Sequence, residues 1–161
     1  MHPLSPTDRL AAVTAPWVHL LVAGDDAPPA LPPPPPGVVV CTLDGRRART
    51  KRALLAEMAR VLAFPGHFGG TWDALEDCLT DLEWLPGGGY RLIVLAADQL
   101  LAREPASYSM LIALLEDVGR AWGTDATGHP DRGRVAFHTV LVVPARRRNA
   151  RADWGAAPLV G

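Results

Sequence analysis

The sequence predicts an α/β domain in which helices pack on a three-stranded parallel sheet. Two observations predict it. Residues 38–43 (VVVCTL), 91–97 (RLIVLAA) and 135–143 (VAFHTVLVV) are apolar runs rich in β-branched residues, the mark of buried strands. Between them lie segments of helical period, in the order β-α-α-β-α-α-β. Helical crossovers between buried strands make those strands parallel.

Residues 1–37 read as an N-terminal extension. Within it Trp17–Val22 (WVHLLV) is short, apolar and bounded by proline. That is the pattern of a further strand, too small to fold alone, which has to dock on the main domain. Residues 27–37 (APPALPPPPPG) follow. Five consecutive prolines join neither a helix nor a sheet ladder, so this run reads as a stiff connector. The main domain is expected over 38–143. Asp44-Gly45 is a turn signal, and Thr50 is placed to cap a helix to about Leu62. Pro65 and Gly66 stop it. A second helix runs from about Thr71 to Leu82, and Pro86–Gly89 ends that region. Asp98–Leu101 is a candidate short helix. Pro105 and Ser107 open a longer one to about Trp122, and residues 123–134 form a Gly-, Asp-, Pro- and Arg-rich loop. The tail, 144–161, is polar with little pattern.

Composition excludes several classes of function. The 161 residues carry a formal net charge of −1, so the whole chain has no bias toward nucleic acid or anionic membrane. Two cysteines, Cys41 and Cys78, make no disulfide framework and read as reduced core residues. The N-terminus lacks the pattern of a secretory signal and no apolar run is long enough to cross a bilayer, so a cytoplasmic, soluble protein is expected. No G-x-G-x-x-G follows a strand, no P-loop is present, and no Cys/His cluster has zinc spacing. No cofactor is expected.

Charge is instead segregated locally. Asp73, Glu76 and Asp77 fall within five residues, and Asp81 follows one turn later. On a helix, Trp72, Leu75, Leu79 and Leu82 share one face, which will be buried. Asp73, Asp77, Thr80 and Asp81 form the neighbouring stripe, with Glu76 beside it. A solvated helix face accounts for Asp73 and Glu76 at the positive end of the macrodipole. It accounts poorly for Asp81 and Glu83 near the negative end, and for like charges at 73/77 and 77/81. Catalysis by paired acids calls for a dry cleft, whereas this stripe is convex, and His67 has no nucleophile and orienting acid beside it. Recognition fits better. A negative stripe beside a loop carrying His67, Phe68, Gly69 and Gly70 offers charge for steering and a ring for an anchor.

The segment PGHFGGTWDALEDCLTDL resembles the signature of the barstar family, intracellular inhibitors of ribonucleases. The matching residues are Pro65, His67-Phe68, Gly69 and Asp73 to Thr80, dense over about 18 residues. The flanking elements agree over roughly 38–143. The resemblance implies a three-stranded parallel sheet with helices and a partner-binding role for individual positions. Asp73 and Asp77 match the carboxylates that enter the nuclease active site, with Asp77 the principal phosphate mimic. Thr80 and Asp81 match contacts at the end of that helix, Glu116 an acidic contact on the later helix, and His67 an aromatic that packs on the enzyme. His67 stands for a tyrosine, Glu76 and Leu82 for tryptophans, and Asp81 for a glycine. Two aromatic contacts are thus lost and two acids gained, which points to a different, more basic partner. The expected protein is a non-enzymatic, monomeric inhibitor of a cognate basic ribonuclease, binding no nucleic acid directly. The alternative is a scaffold of the same fold with a non-nuclease partner. Deleting residues 1–37 is expected to spare inhibition and abolish scaffold binding through the arm.

Overall fold

The computed structural model describes residues 4–26, 28–66, 68–124, 127 and 132–159. Helix α1 (Pro6–Ala11) opens on a capping box between Ser5 and Asp8. Strand β1 (Val18–Ala23) follows, then β2 (Val38–Asp44), α2 (Lys51–Val61), α3 (Trp72–Asp81), β3 (Gly89–Leu95), α4 (Tyr108–Gly123), β4 (Ala136–Pro144) and β5 (Ala157–Pro158). The strands form one five-stranded sheet in the order β2-β3-β4-β1-β5, every neighbouring pair parallel. The α/β class is the expected one. The sheet is wider than three strands, because β1 pairs with β4 from Val18↔Thr139 to Ala23↔Pro144.

Strand residues alternate strictly between two apolar cores. Tyr90, Leu92 and Val94 of β3, Phe137, Leu141 and Val143 of β4, and Val18 of β1 pack with α2, α3 and α4. Ile93, Val140, Val142 and Leu21 face the other way, against Leu10 of α1, Leu31 and Leu159. Trp17 is also buried, lying against the bare backbone of Gly119 and Gly123 on α4. A Cβ built on Gly119 meets the Trp17 Cγ at 2.4 Å, so only glycine admits this contact.

Two expectations need amendment, and the tail, whose order the sequence leaves open, takes a defined place. Residues 38–43 read as a strand covered on both faces, yet β2 is an edge strand: Val40 is 40% exposed and only Leu43 is fully buried. An apolar run looks the same at an edge as in the interior. The proline run also does more than connect. Leu31 packs on the second core, and the Pro32 carbonyl accepts a hydrogen bond from Arg91 Nη1 at 2.6 Å. The tail is built into the fold. Trp154 is buried, its carbonyl accepts from the Tyr108 hydroxyl at 2.6 Å, and the Leu159 amide donates to Leu20.

Two histidines meet inside the sheet. His138 Nε2 lies 2.7 Å from the Ala12 carbonyl, and His138 Nδ1 lies 2.8 Å from His19 Nε2. A carbonyl only accepts, so Nε2 of His138 carries the proton and Nδ1 accepts from His19. Both rings are fully buried, and that burial lowers both pKa values and favours the neutral forms. Among the described residues no helix is long and apolar enough to cross a membrane.

Candidate protein-binding surface on the acidic helix

Helix α3 begins where Thr71 caps it, its hydroxyl oxygen accepting from the Ala74 amide at 3.1 Å. Leu75, Leu79 and Leu82 are completely buried, and Trp72 is half-buried with Lys51 Nζ 5.2 Å from its ring. The anticipated apolar face thus clamps the helix to the core. The C-terminal end is held just as firmly. Trp122 Nε1 donates to the Leu79 carbonyl at 2.8 Å, and Arg132 Nη1 donates to the Asp81 carbonyl at 3.1 Å. The chain then leaves through Leu82 in a left-handed conformation, φ 50°. An arginine at the negative end of the helix offsets the unfavourable position of Asp81.

With one face fixed, the other has a defined aim. Asp73 and Asp77 are exposed, and neither forms an ion pair among the described residues. Glu76, Thr80 and Asp81 are half-exposed beside them. The Thr80 hydroxyl donates to the Glu76 carbonyl at 2.9 Å, leaving its oxygen lone pairs for a donor from outside. Partial burial, then the charges of Asp117, Asp77 and Asp73, raise the Glu76 carboxyl above its usual range. The stripe is therefore a surface on which an added cation would relieve repulsion.

The loop before α3 supplies the apolar part. Phe64 stacks edge-on against Phe68, with ring centroids 5.0 Å apart, and against Trp84 at 6.0 Å. Trp84 Nε1 donates to the Leu62 carbonyl at 2.9 Å, which fixes the indole. A depression of about 350 Å³ lies between this cluster and α3, lined by Phe68, Gly69, Asp77, Cys78, Asp81 and Trp84 among others. Its lining thus combines two aromatic rings with two carboxylates. Burial, then Asp81 and Asp77, raise the Cys78 thiol.

The structure brings Phe68, Gly69, Asp77 and Asp81 to this depression and sets Asp73, Glu76 and Thr80 along the helix beside it. His67 lies outside the described residues. Glu116 is placed differently. Its carboxyl faces the backbone amides of Val18 and Trp17, which favour its charged form, while burial pushes its pKa up more strongly. The acid of α4 that shares a field with Glu76 is its neighbour Asp117, ion-paired with Arg120 at 2.8 Å. Sequence reasoning missed Asp117 and Trp84. One residue on a helix is a turn of about 100°, so choosing between 116 and 117 requires knowing how α4 docks. Trp84 could have been found as an aromatic directly after the acidic helix.

Among the described residues no group of three His, Cys, Asp or Glu side chains is arranged to hold a metal. A comparison with protein families matches residues 38–141 to Barstar (barnase inhibitor). A search of curated proteins finds no match. The match spans β2 through most of β4, including the capped acidic helix and the aromatic loop before it. The chain belongs to the barstar family.

Proposed function

We propose that the protein inhibits a basic ribonuclease of its own cytoplasm by covering the enzyme's phosphate-binding cleft with α3, without turnover of its own. One observation carries this reading: Asp73 and Asp77, exposed and in no ion pair among the described residues, project from a helix whose opposite face is locked in the core, next to a depression lined in part by aromatic rings. Carboxylates at helical spacing substitute for the phosphates that a cationic cleft is built to hold. The acids Asp77 and Asp81 receive arginine or lysine, and the Phe68 and Trp84 rings receive the apolar stem or a ring. The long-range charge speeds encounter and makes it salt-sensitive, while desolvated bonds to Asp77 set dissociation. Free in solution, the protein is a monomer in this reading.

The test is capture from the native host on immobilised protein, followed by a ribonuclease assay of what is retained. Wild type should retain a ribonuclease and inhibit it at equimolar ratio. Asp77→Ala should weaken binding by about 2–5 kcal/mol, the usual loss when one partner of a buried charge pair is truncated. Its thermal stability should be unchanged, because Asp77 is exposed. A retained partner without ribonuclease activity, or equal capture by Asp73→Ala/Asp77→Ala, would overturn the proposal and favour a scaffold.

A further inference from the structure

A second site, of opposite charge, lies where three parallel strands end. β2, β3 and β4 point the same way, so Asp44, Leu95 and Pro144 come to one edge of the sheet. The segments that follow them enclose a cavity of about 420 Å³ lined by Arg46, Arg49, Ala96, Asp98, Gln99 and Arg146, with Pro144. Crevices outside the carboxyl ends of parallel strands are where open α/β sheets bind ligands. The walls are held close by Gly45, on which a Cβ would sit 2.2 Å from the Ala96 carbonyl oxygen. No other residue lets the two strand ends meet.

The guanidinium groups are held in place. Arg46 makes two bonds to the Asp44 carboxylate, both 3.1 Å. The Arg146 backbone amide bonds Asp25 at 2.9 Å, and its side chain approaches the same oxygen at 3.4 Å. The one acid in the wall, Asp98, is already engaged: Arg147 approaches its Oδ2 at 3.3 Å and Gln99 at 3.0 Å. Arg49 differs. Its Nε is sequestered from solvent and has no hydrogen-bond partner among the described residues. Arg49 nonetheless lines the crevice with Arg46 and Arg146, and a wall of cations favours an anion.

Among the described residues the lining has no aromatic ring, so a base would have only guanidinium planes to stack on. It has forked donors of the kind that match tetrahedral oxyanions. We propose that this crevice binds the phosphate groups of a small phosphorylated molecule, with Arg49 and Arg146 as the principal contacts and Arg46 at the rim. The site is independent of the acidic helix and of the inhibitor reading.

Calorimetry and amide NMR of the full chain in chloride buffer test it. Inorganic phosphate, pyrophosphate and a single-stranded oligoribonucleotide are added separately. Pyrophosphate should bind more tightly than phosphate and shift amides of residues 45–49, 96–99 and 145–147. Arg49→Gln should weaken it about tenfold or more, the order expected for one lost charge-assisted contact. The exposed Arg146→Gln, which carries no risk to folding, should do the same. Arg120→Gln, on α4, should leave binding unchanged. An absence of localised shifts, or pyrophosphate binding indifferent to both Arg49→Gln and Arg146→Gln, overturns the site. Tighter binding of the oligoribonucleotide than of pyrophosphate, lost in the same variants, overturns the small-molecule assignment in favour of an RNA backbone.

Discussion

Lowering the pH from 7 to 5 should weaken the fold by about 2 kcal/mol through His19 alone. The ring is completely buried, and Nε2 donates to His138, whose own Nε2 is committed to Ala12. Among the described residues its Nδ1 has no partner, so a proton added there would place an unbonded charge in the interior. Burial, then His138 and Arg9, lower the His19 pKa from 6.5 to about 3. Burial also lowers His138, with Arg91 acting in the same direction. The sign follows from which state binds the proton. Below 6.5 the unfolded chain protonates and the folded one does not, so stability falls with pH until the folded value near 3 is reached. At pH 5 the solution lies about 1.5 below the unfolded value, and at about 1.36 kcal/mol per unit that is about 2 kcal/mol. Glu76 and Glu116 work in the opposite direction, since their raised carboxyls protonate more readily folded than unfolded. They cancel when wild type is compared with His19→Gln. Urea unfolding of both proteins at pH 7 and pH 5 is the assay. The wild type should lose about 2 kcal/mol more than the variant on acidification, each measured against its own pH 7 value. Equal losses, or a His19 ring that titrates near 6.5 by NMR in the folded protein, would refute the reasoning.

Three further outcomes are expected. Gly119→Ala should lower the thermal midpoint: overpacking against Trp17 costs about 1–3 kcal/mol, more than the roughly 1 kcal/mol that alanine adds to an exposed helix interior. A stabilised variant would mean that Trp17 does not dock on α4. Trp154→Ala should cost about 3–5 kcal/mol in denaturant unfolding, whereas an undocked tail would give a change within about 0.5 kcal/mol. The Cys78 thiol, raised by burial and by Asp81 and Asp77, should alkylate slowly at neutral pH. Asp77→Asn should speed the reaction, as read by mass spectrometry, and an unchanged rate would show that the acids do not act on the thiol.

The deletion suggested by the sequence alone changes meaning once the fold is known. Trp17 is buried and Val18 belongs to the main core, while β1 lies between β4 and β5. Removing residues 1–37 would take a strand out of the middle of the sheet, so its effect on binding would report unfolding. Point changes on α3 are the cleaner probe.

Much of the fold could be read from local pattern. The runs at 38–43, 91–97 and 135–143 correspond to β2, β3 and β4, Thr50 caps its helix as its position suggests, and the second helix starts at Thr71 as expected. The Trp72, Leu75, Leu79 and Leu82 spacing identified the inner face of α3, and with it the outward acids. What escaped had no periodic signal. A two-residue strand such as β5 has no period, and Trp154 sits in a polar stretch whose docking depends on Tyr108, 46 residues earlier. The His19–His138 contact joins residues 119 apart.

By itself the sequence determined the main helices and strands between residues 17 and 143, that the strands run parallel, and that one helix carries its acids on a single side. These follow from side-chain periodicity and caps, which act within a few residues. Only the tertiary structure decided that β2 is an edge, that the proline run and the tail complete the second core, and that Asp117 shares the field of Glu76. It alone placed three arginines around one crevice. Such features depend on which surfaces meet across the chain, and no local pattern encodes that.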